Sequence, residues 1–221
     1  MTGFVLVGGT SQRMGQPKAS LLIEGERMLP RQIRLLRTVA HRVVVVGGSA
    51  DSLDCFDVPV VPDEIPGRGP LAGIYTALLK SRTEFNIVLG CDLPFVNGRM
   101  LTYLAVRALN SGSDVTVSCS RDGRPQPLCA VYRRRALYAV RTRLALGANK
   151  VSGFFHMVHC NAIPWRDVAR AGFTPSVFDN MNTPEEYEYA RKRLETFAAA
   201  SGLQKSDSVA KALGAKLDET E

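Results

Sequence analysis

The chain has 221 residues, of which 45% are hydrophobic, 7% aromatic and 22% charged, a balance that suits one α/β domain with a sizeable core and excludes disordered and collagen-like chains. Its net charge of +7 is uneven, with 25 basic against 16 acidic residues over positions 1–194 and 3 against 5 over 195–221; the body therefore favours an anionic partner, and basic residues without interleaved aromatics point to small phosphates rather than nucleic acid. No apolar run reaches the roughly 20 residues of a membrane span, the start lacks the cationic stretch of a secretion signal, and the widely spaced Cys55, Cys91, Cys119, Cys129 and Cys160 read as buried free thiols of a soluble cytoplasmic protein, not as disulfides or a zinc site.

In chain order, Gly3–Val7, Val43–Val46, Val58–Val61, Phe85–Leu89 and Val115–Ser118 read as strands, most of them too uniformly apolar to face water. Between them Leu29–Ala40, Pro70–Lys80 and Met100–Asn110 carry apolar residues at helical spacing. Successive βα units predict a mostly parallel central sheet with helices on both faces, whose ligands gather at the carboxyl edge of the strands. Asn97 is the expected cap of the third helix. Beyond Ser120 the pattern loosens into a strand over Gln126–Tyr132, a helix over Arg135–Leu146, a short irregular helix over Asn149–Val158 and a strand over Cys160–Pro164. Thr183-Pro184-Glu185-Glu186 supplies a capping hydroxyl, a first-turn proline and a glutamate at the third helical position, predicting a helix from Pro184 to about Ala200. Residues 1–200 are expected to form one domain and 201–221 a frayed or flexible tail.

The most informative segment follows the first strand: Leu6-Val7-Gly8-Gly9-Thr10-Ser11-Gln12-Arg13-Met14-Gly15-Gln16-Pro17-Lys18. Paired glycines let the backbone approach a ligand, Ser11 and successive N–H groups can face phosphate oxygens, and Arg13 and Lys18 neutralise their charge. It is neither a Walker A loop nor a dinucleotide fingerprint. The plain alternative is a glycine-rich turn with two solvated cations.

The pattern L-x-G-G-x-S-x-R-M-G-x-x-K from Leu6 to Lys18 resembles the signature loop of the nucleotidyltransferases related to molybdenum cofactor guanylyltransferase. Further matches follow in that family's order: Asp63, Gly69-Pro70-Leu71-Ala72-Gly73, Cys91-Asp92-Leu93-Pro94-Phe95, Gln126-Pro127-Leu128 and Asn180-Met181-Asn182-Thr183-Pro184-Glu185. Together they cover roughly residues 3–194. The first loop alone is shared with other sugar-phosphate and cytidylyl transferases; the series is far more specific. The resemblance implies a Rossmann-like, three-layer nucleotide-diphospho-sugar transferase fold and an enzyme that transfers GMP from GTP to the terminal phosphate of molybdopterin, or of its molybdenum-bound form, with release of pyrophosphate. It implies Mg2+ as cofactor, GTP and molybdopterin as substrates, and molybdopterin-handling proteins and apo-molybdoenzymes as further partners, with no nucleic acid and no membrane.

Arg13, Lys18 and Asp92 are the expected catalytic residues. Asp92 follows the apolar run Ile87–Gly90, so its carboxylate falls at the carboxyl edge, where magnesium needs one or two carboxylates beside phosphate oxygens; its plain alternative is a turn or cap. Leu6, Val7, Gly8, Gly9, Ser11, Lys18, Asp63 and Asp92 are expected to hold the nucleotide, although Asp63 by itself reads as turn chemistry. Gly69-Pro70 opens a helix whose free N–H groups suit an anion, and Gly69 and Gly73 permit close approach. By resemblance Gly69, Gly73, Lys150, Asn180 and Asn182 face the pterin; without it the asparagines are turn residues. Arg124, Gln126 and Arg133–Arg135 add polar groups that are more simply a solvated face. His156 and His159 lack the third ligand of a zinc site, and no serine, histidine and aspartate set suggests a covalent nucleophile.

Two positions depart from the family pattern: Val7, where a smaller residue is usual, and Gly47-Gly48, which replaces a more polar pair. They leave the base open, although Gly8-Gly9 and the G-P-L-A-G stretch look like the guanylyl branch. A cytidylyltransferase for molybdopterin or another phosphorylated metabolite shares the loop and Asp92. A nucleotide-binding regulatory protein without turnover is a further alternative, against which intact Lys18 and Asp92 argue. A nucleic-acid binder fits the charge but lacks a reading motif.

Overall fold

A computed structural model describes residues 1–8, 18–48 and 57–200, with backbone only for 198–200. Gly9, Ser11, Arg13, Cys55 and the segment 201–221 therefore lie outside the described residues. The strand β1 (Thr2–Leu6) lies between β4 (Arg42–Val46) and β6 (Phe85–Gly90), parallel to both. Phe4 and Val5 point to opposite faces and are both fully buried, each in a different apolar cluster, as a doubly covered parallel strand requires. The pairing sets Leu6 level with Val46 and Gly90, and Val46 level with Val61 of the short outer strand β5 (Val60–Val61). Four chain exits thus line up along one edge.

The main sheet has seven strands in the order β5-β4-β1-β6-β8-β7-β9. β7 (Val115–Cys119) and β9 (Cys160–Ile163) are parallel to each other, while β8 (Pro125–Arg133) runs antiparallel to both β6 and β7. The β7–β8 hairpin consequently turns at the same edge as Leu6 and Gly90. A two-strand ribbon, β2 (Leu22–Ile23) with β3 (Glu26–Arg27), stands apart and turns through Glu24 and Gly25, both at positive φ.

Helices α1 (Met28–Leu36) and α3 (Gly98–Ser111) cover one face through Leu29, Ile33, Leu36, Met100 and Leu104; α2 (Gly69–Lys80) and α4 (Leu137–Ala145) cover the other through Leu71, Ile74, Leu78 and Val140. Asn97 caps α3, its side chain accepting from the Met100 N–H at 3.1 Å, and Gly112 closes that helix at φ 66°. α1 ends before the predicted Ala40 because the Thr38 hydroxyl bonds the Leu35 carbonyl at 2.7 Å, and the chain tightens into a turn. Val58 lies outside β5, and the predicted irregular helix is a 3-10 turn over Val151–Met157. A further helix, α5 (Trp165–Arg170), precedes the 3-10 turn Pro175–Phe178. The last described helix, α6 (Pro184–Ala200), starts where Thr183 and Glu186 cap each other. Among the described residues no helix is long and apolar enough to cross a membrane.

Candidate active site

The site is built where β1 runs out. The ladder continues one residue past the strand, with the Val7 N–H donating to Val46 at 2.8 Å and the Gly47 N–H to Val61 at 2.9 Å. Gly47 adopts φ +87°, and a Cβ there would lie 2.1 Å from the Val7 carbonyl oxygen, so glycine is a backbone requirement here. Gly8 is exposed, with open space where a side chain would stand.

The chain re-enters at the 3-10 turn Lys18–Ser20. The Lys18 ammonium lies 3.3 Å from Asp92 Oδ2 and 2.5 Å from Asn182 Oδ1. Three segments far apart in sequence therefore meet in one group, with the Lys18 and Asp92 side chains each about one-fifth exposed. Asp92 stands two residues beyond β6, and its carbonyl accepts the Met181 N–H at 2.9 Å, which ties the 180–182 segment to it. A Cβ on Gly90 would fall 2.8 Å from Asp92 Oδ1 and 3.2 Å from Leu128 Cβ, so a side chain at 90 would displace the carboxylate.

From below, α1 grips the loop that carries Asp92. Gln32 Nε2 donates to the Leu93 carbonyl at 2.9 Å and Arg31 Nη2 to the Pro94 carbonyl at 3.0 Å, both bonds buried. Burial lowers the Arg31 pKa from its ordinary value, with Glu24 opposing. In the sequence this clamp is marked only by the spacing of Gln32, which shares the apolar stripe of Leu29 and Leu36 and is fully buried. The neighbouring Cys91 thiol is pushed up to about 12 by burial and then by the Asp92 carboxylate, so it stays protonated and offers no nucleophile. Cys129 is likewise buried, its thiol raised to about 12.

Asp92 Oδ1 forms no hydrogen bond among the described residues, and no cluster of three or more potential metal ligands occurs among them. One open carboxylate oxygen fits a hard divalent cation that takes most of its ligands from phosphates and water. His156 and His159 form no such cluster.

The other expected residues separate by sheet face. Asp63 Oδ1 accepts from the Thr76 hydroxyl at 2.9 Å and from the Ile65 N–H at 3.2 Å, an Asx-turn that fastens the β5–α2 connection to α2. Gly69 begins α2 at φ +68° with open space around it, whereas Gly73 faces inward, where a Cβ would come 3.1 Å from Leu6 Cδ1. Gly73 thus seats α2 on the end of β1 and does not open toward the edge. Lys150 is exposed beside Asn149, which accepts from Arg68 Nε at 3.0 Å, next to the start of α2. On the other face Asn180 lines a shallow cleft with Phe95, Asp179, Glu186 and Tyr189, apart from the Lys18 contact made by Asn182. Burial raises the Asp179 carboxyl, with Arg193 opposing. Gln126 lies near the edge, donating to Ser120 Oγ at 3.0 Å. Arg133 to Arg135 lie at the far end of β8, where Arg133 pairs with Glu84 at 2.9 Å and Arg135 with Asp114.

A seven-stranded sheet with one antiparallel strand, helices on both faces and a cation–carboxylate pair at its carboxyl edge is the framework of a nucleotidyltransferase with the nucleotide-diphospho-sugar transferase fold. The MobA-like NTP transferase domain matches residues 3–159, and the chain belongs to that family. A probable molybdenum cofactor guanylyltransferase of Pelotomaculum thermopropionicum is 34% identical over 195 residues, covering 88% of this chain and 93% of that protein. The crystal structure of molybdopterin-guanine dinucleotide biosynthesis protein A from Archaeoglobus fulgidus superposes with a TM-score of 0.77 at 23% identity, over 89% of this chain and all of that one. Rv0371c of Mycobacterium tuberculosis, solved in complex with manganese, shares the fold at a TM-score of 0.61 and 17% identity, over 86% of this chain and 97% of that one.

Proposed function

We propose that the protein transfers GMP from GTP to the terminal phosphate of molybdopterin, in its molybdenum-bound form, yielding molybdopterin guanine dinucleotide and pyrophosphate. The observation that carries this reading is the meeting of the Lys18 ammonium with Asp92 and Asn182 at the exit of β1. The guanylyltransferase named above, alike over most of both chains, supports the choice of base and acceptor.

An oxygen of the acceptor phosphate forms a bond to the α-phosphorus of GTP. The bond from that phosphorus to the α,β-bridging oxygen breaks, and its electron pair leaves with pyrophosphate. A phosphate nucleophile needs little general-base help, so the protein's task is alignment and charge neutralisation. Lys18 has three N–H donors, of which Asp92 and Asn182 engage two, leaving one for a phosphate oxygen. Arg13 adds a second cation. The backbone from Leu6 through Gly9, with Ser11, holds the phosphates, and Asp63 orders the connection beside the nucleotide. Asp92 would hold a magnesium ion, which would supply charge neutralisation for the phosphates. Asn180 and Asn182 bound the pterin from one face of the sheet, and Gly69 and Lys150 from the other. Residues 1–200 act as one domain in the cytoplasm, with molybdopterin-handling proteins and apo-molybdoenzymes as partners.

The test is pyrophosphate release with molybdopterin and either GTP or CTP, for the parent chain and for Asp92→Ala. Release with GTP that falls by about two orders of magnitude or more in the variant, at unchanged melting temperature, supports the reading. Preference for CTP overturns the base, and near-parent turnover of Asp92→Ala with magnesium overturns the role of Asp92.

A further inference from the structure

We propose that the first turn of α6 is a positioning device for Lys18, in which Glu186 acts through Asn182 on the ammonium and Tyr187 acts through Leu22 on the backbone. Glu186 Oε2 accepts the Asn182 N–H at 2.6 Å and the Thr183 N–H at 3.2 Å, while the Glu186 N–H donates to Thr183 Oγ1 at 3.3 Å. The cap therefore fixes the residue before the usual capping position as well. Asn182 then presents its side-chain oxygen to Lys18 Nζ. On its other side the segment is anchored by fully buried Met181, whose N–H donates to the Asp92 carbonyl. One residue further along, the Tyr187 hydroxyl donates to the Leu22 carbonyl at 2.9 Å, and the Leu21 N–H donates to the Lys18 carbonyl at 3.3 Å. One helical turn thus holds Lys18 at both ends.

The physical reason for such a device is the lysine side chain itself. Its flexible four-carbon stem would let an ammonium without partners sample many positions. An amide oxygen and a carboxylate together preset it before substrate arrives, which moves that ordering cost from the reaction into folding. The neutral amide does so without cancelling a second unit of charge. Glu186 and Tyr187 touch no reacting atom in this scheme; they act only through Asn182 and the β2 segment.

The effect on rate rests on the phosphate-transfer role given to Lys18, but the positioning itself does not, and the experiment separates them. Lysine amines of the full chain are labelled with trinitrobenzenesulfonate and mapped by peptide mass. In Glu186→Ala the Lys18 labelling rate should rise several-fold while Lys80 and Lys150 stay unchanged, and Glu186→Gln, which keeps an acceptor oxygen, should restore the parent rate. In turnover, Glu186→Ala should lower kcat about tenfold with little change in the GTP KM, and should cost nothing further in a Lys18→Met background. Unchanged Lys18 labelling in Glu186→Ala overturns the proposal, as does an equal loss of kcat in both backgrounds. Faster labelling with undiminished kcat supports the positioning and overturns the catalytic role of Lys18. Should Glu186→Ala fail to fold, Tyr187→Phe, which loses only the bond to Leu22, is read in the same way.

Discussion

Removing the donor of Gln32 is the sharpest probe of how α1 holds the Asp92 loop. Gln32 is fully buried, its Nε2 bonds the Leu93 carbonyl at 2.9 Å, and its Oε1 is buried without a hydrogen-bond partner among the described residues. Gln32→Leu keeps the side-chain volume and strands the Leu93 carbonyl, at about 1–3 kcal/mol. The same change removes the unsatisfied Oε1, which offsets about 1 kcal/mol. A net loss of about 1 kcal/mol lowers the melting temperature of a chain this size by about 2–4 °C. The loop freed at Leu93 carries the carboxylate one residue earlier, so pyrophosphate release should fall by about tenfold or more, well beyond what the folded fraction explains. Parallel thermal melts and turnover against magnesium concentration check this. Full turnover with the parent metal dependence would refute the view that α1 orients Asp92. Gln32→Glu extends the probe: the introduced carboxylate opposes the carbonyl when ionised and donates when protonated, so its folded-state pKa is raised and this variant should gain stability relative to the parent as pH falls.

Gly47→Ala should cost at least about 2 kcal/mol, since φ +87° strains any side chain and the new Cβ meets the Val7 carbonyl; urea denaturation measures it, and an unchanged midpoint refutes the backbone requirement. At the opposite edge, burial alone would raise the Asp114 carboxyl, but the bonds from Arg135 and the His159 N–H, with their charges, hold it below its ordinary 3.8. A lowered folded-state pKa gives stability that is present above 3.8 and lost as pH falls through the folded value. Asp114→Asn should therefore destabilise at pH 6 and flatten the acid limb of stability below pH 4; an unaltered limb in pH-dependent melts counts against it.

The sheet was legible because its inner strands are buried on both faces, and Phe4 beside Val5 or Val44 beside Val45 leaves no polar alternation to misread. The ribbon at Leu22–Arg27 was not, because two-residue strands carry no period, although Glu24-Gly25 is a recognisable turn. At the site, Lys18, Asp92 and Asn182 stood out as chemistry-bearing residues, but their meeting depends on parallel strands ending level and on the Met181–Asp92 bond, which no spacing announces. Arg133 to Arg135 were grouped with Arg124 by proximity in sequence, whereas β8 carries them the length of a nine-residue strand to the far edge. Gln32 was hidden because a polar residue in an amphipathic helix ordinarily faces water.

The outer strands carry a consequence for self-association. β5 offers two residues of free backbone between Pro59 and Pro62, and β9 offers four before Pro164. Proline supplies no amide hydrogen, so the β5 border offers almost no template for another strand and the β9 border only a short one. Among the described residues, the borders of the main sheet therefore disfavour edge-to-edge pairing of copies, which leaves the phosphate-handling rim outside a continuous intermolecular sheet.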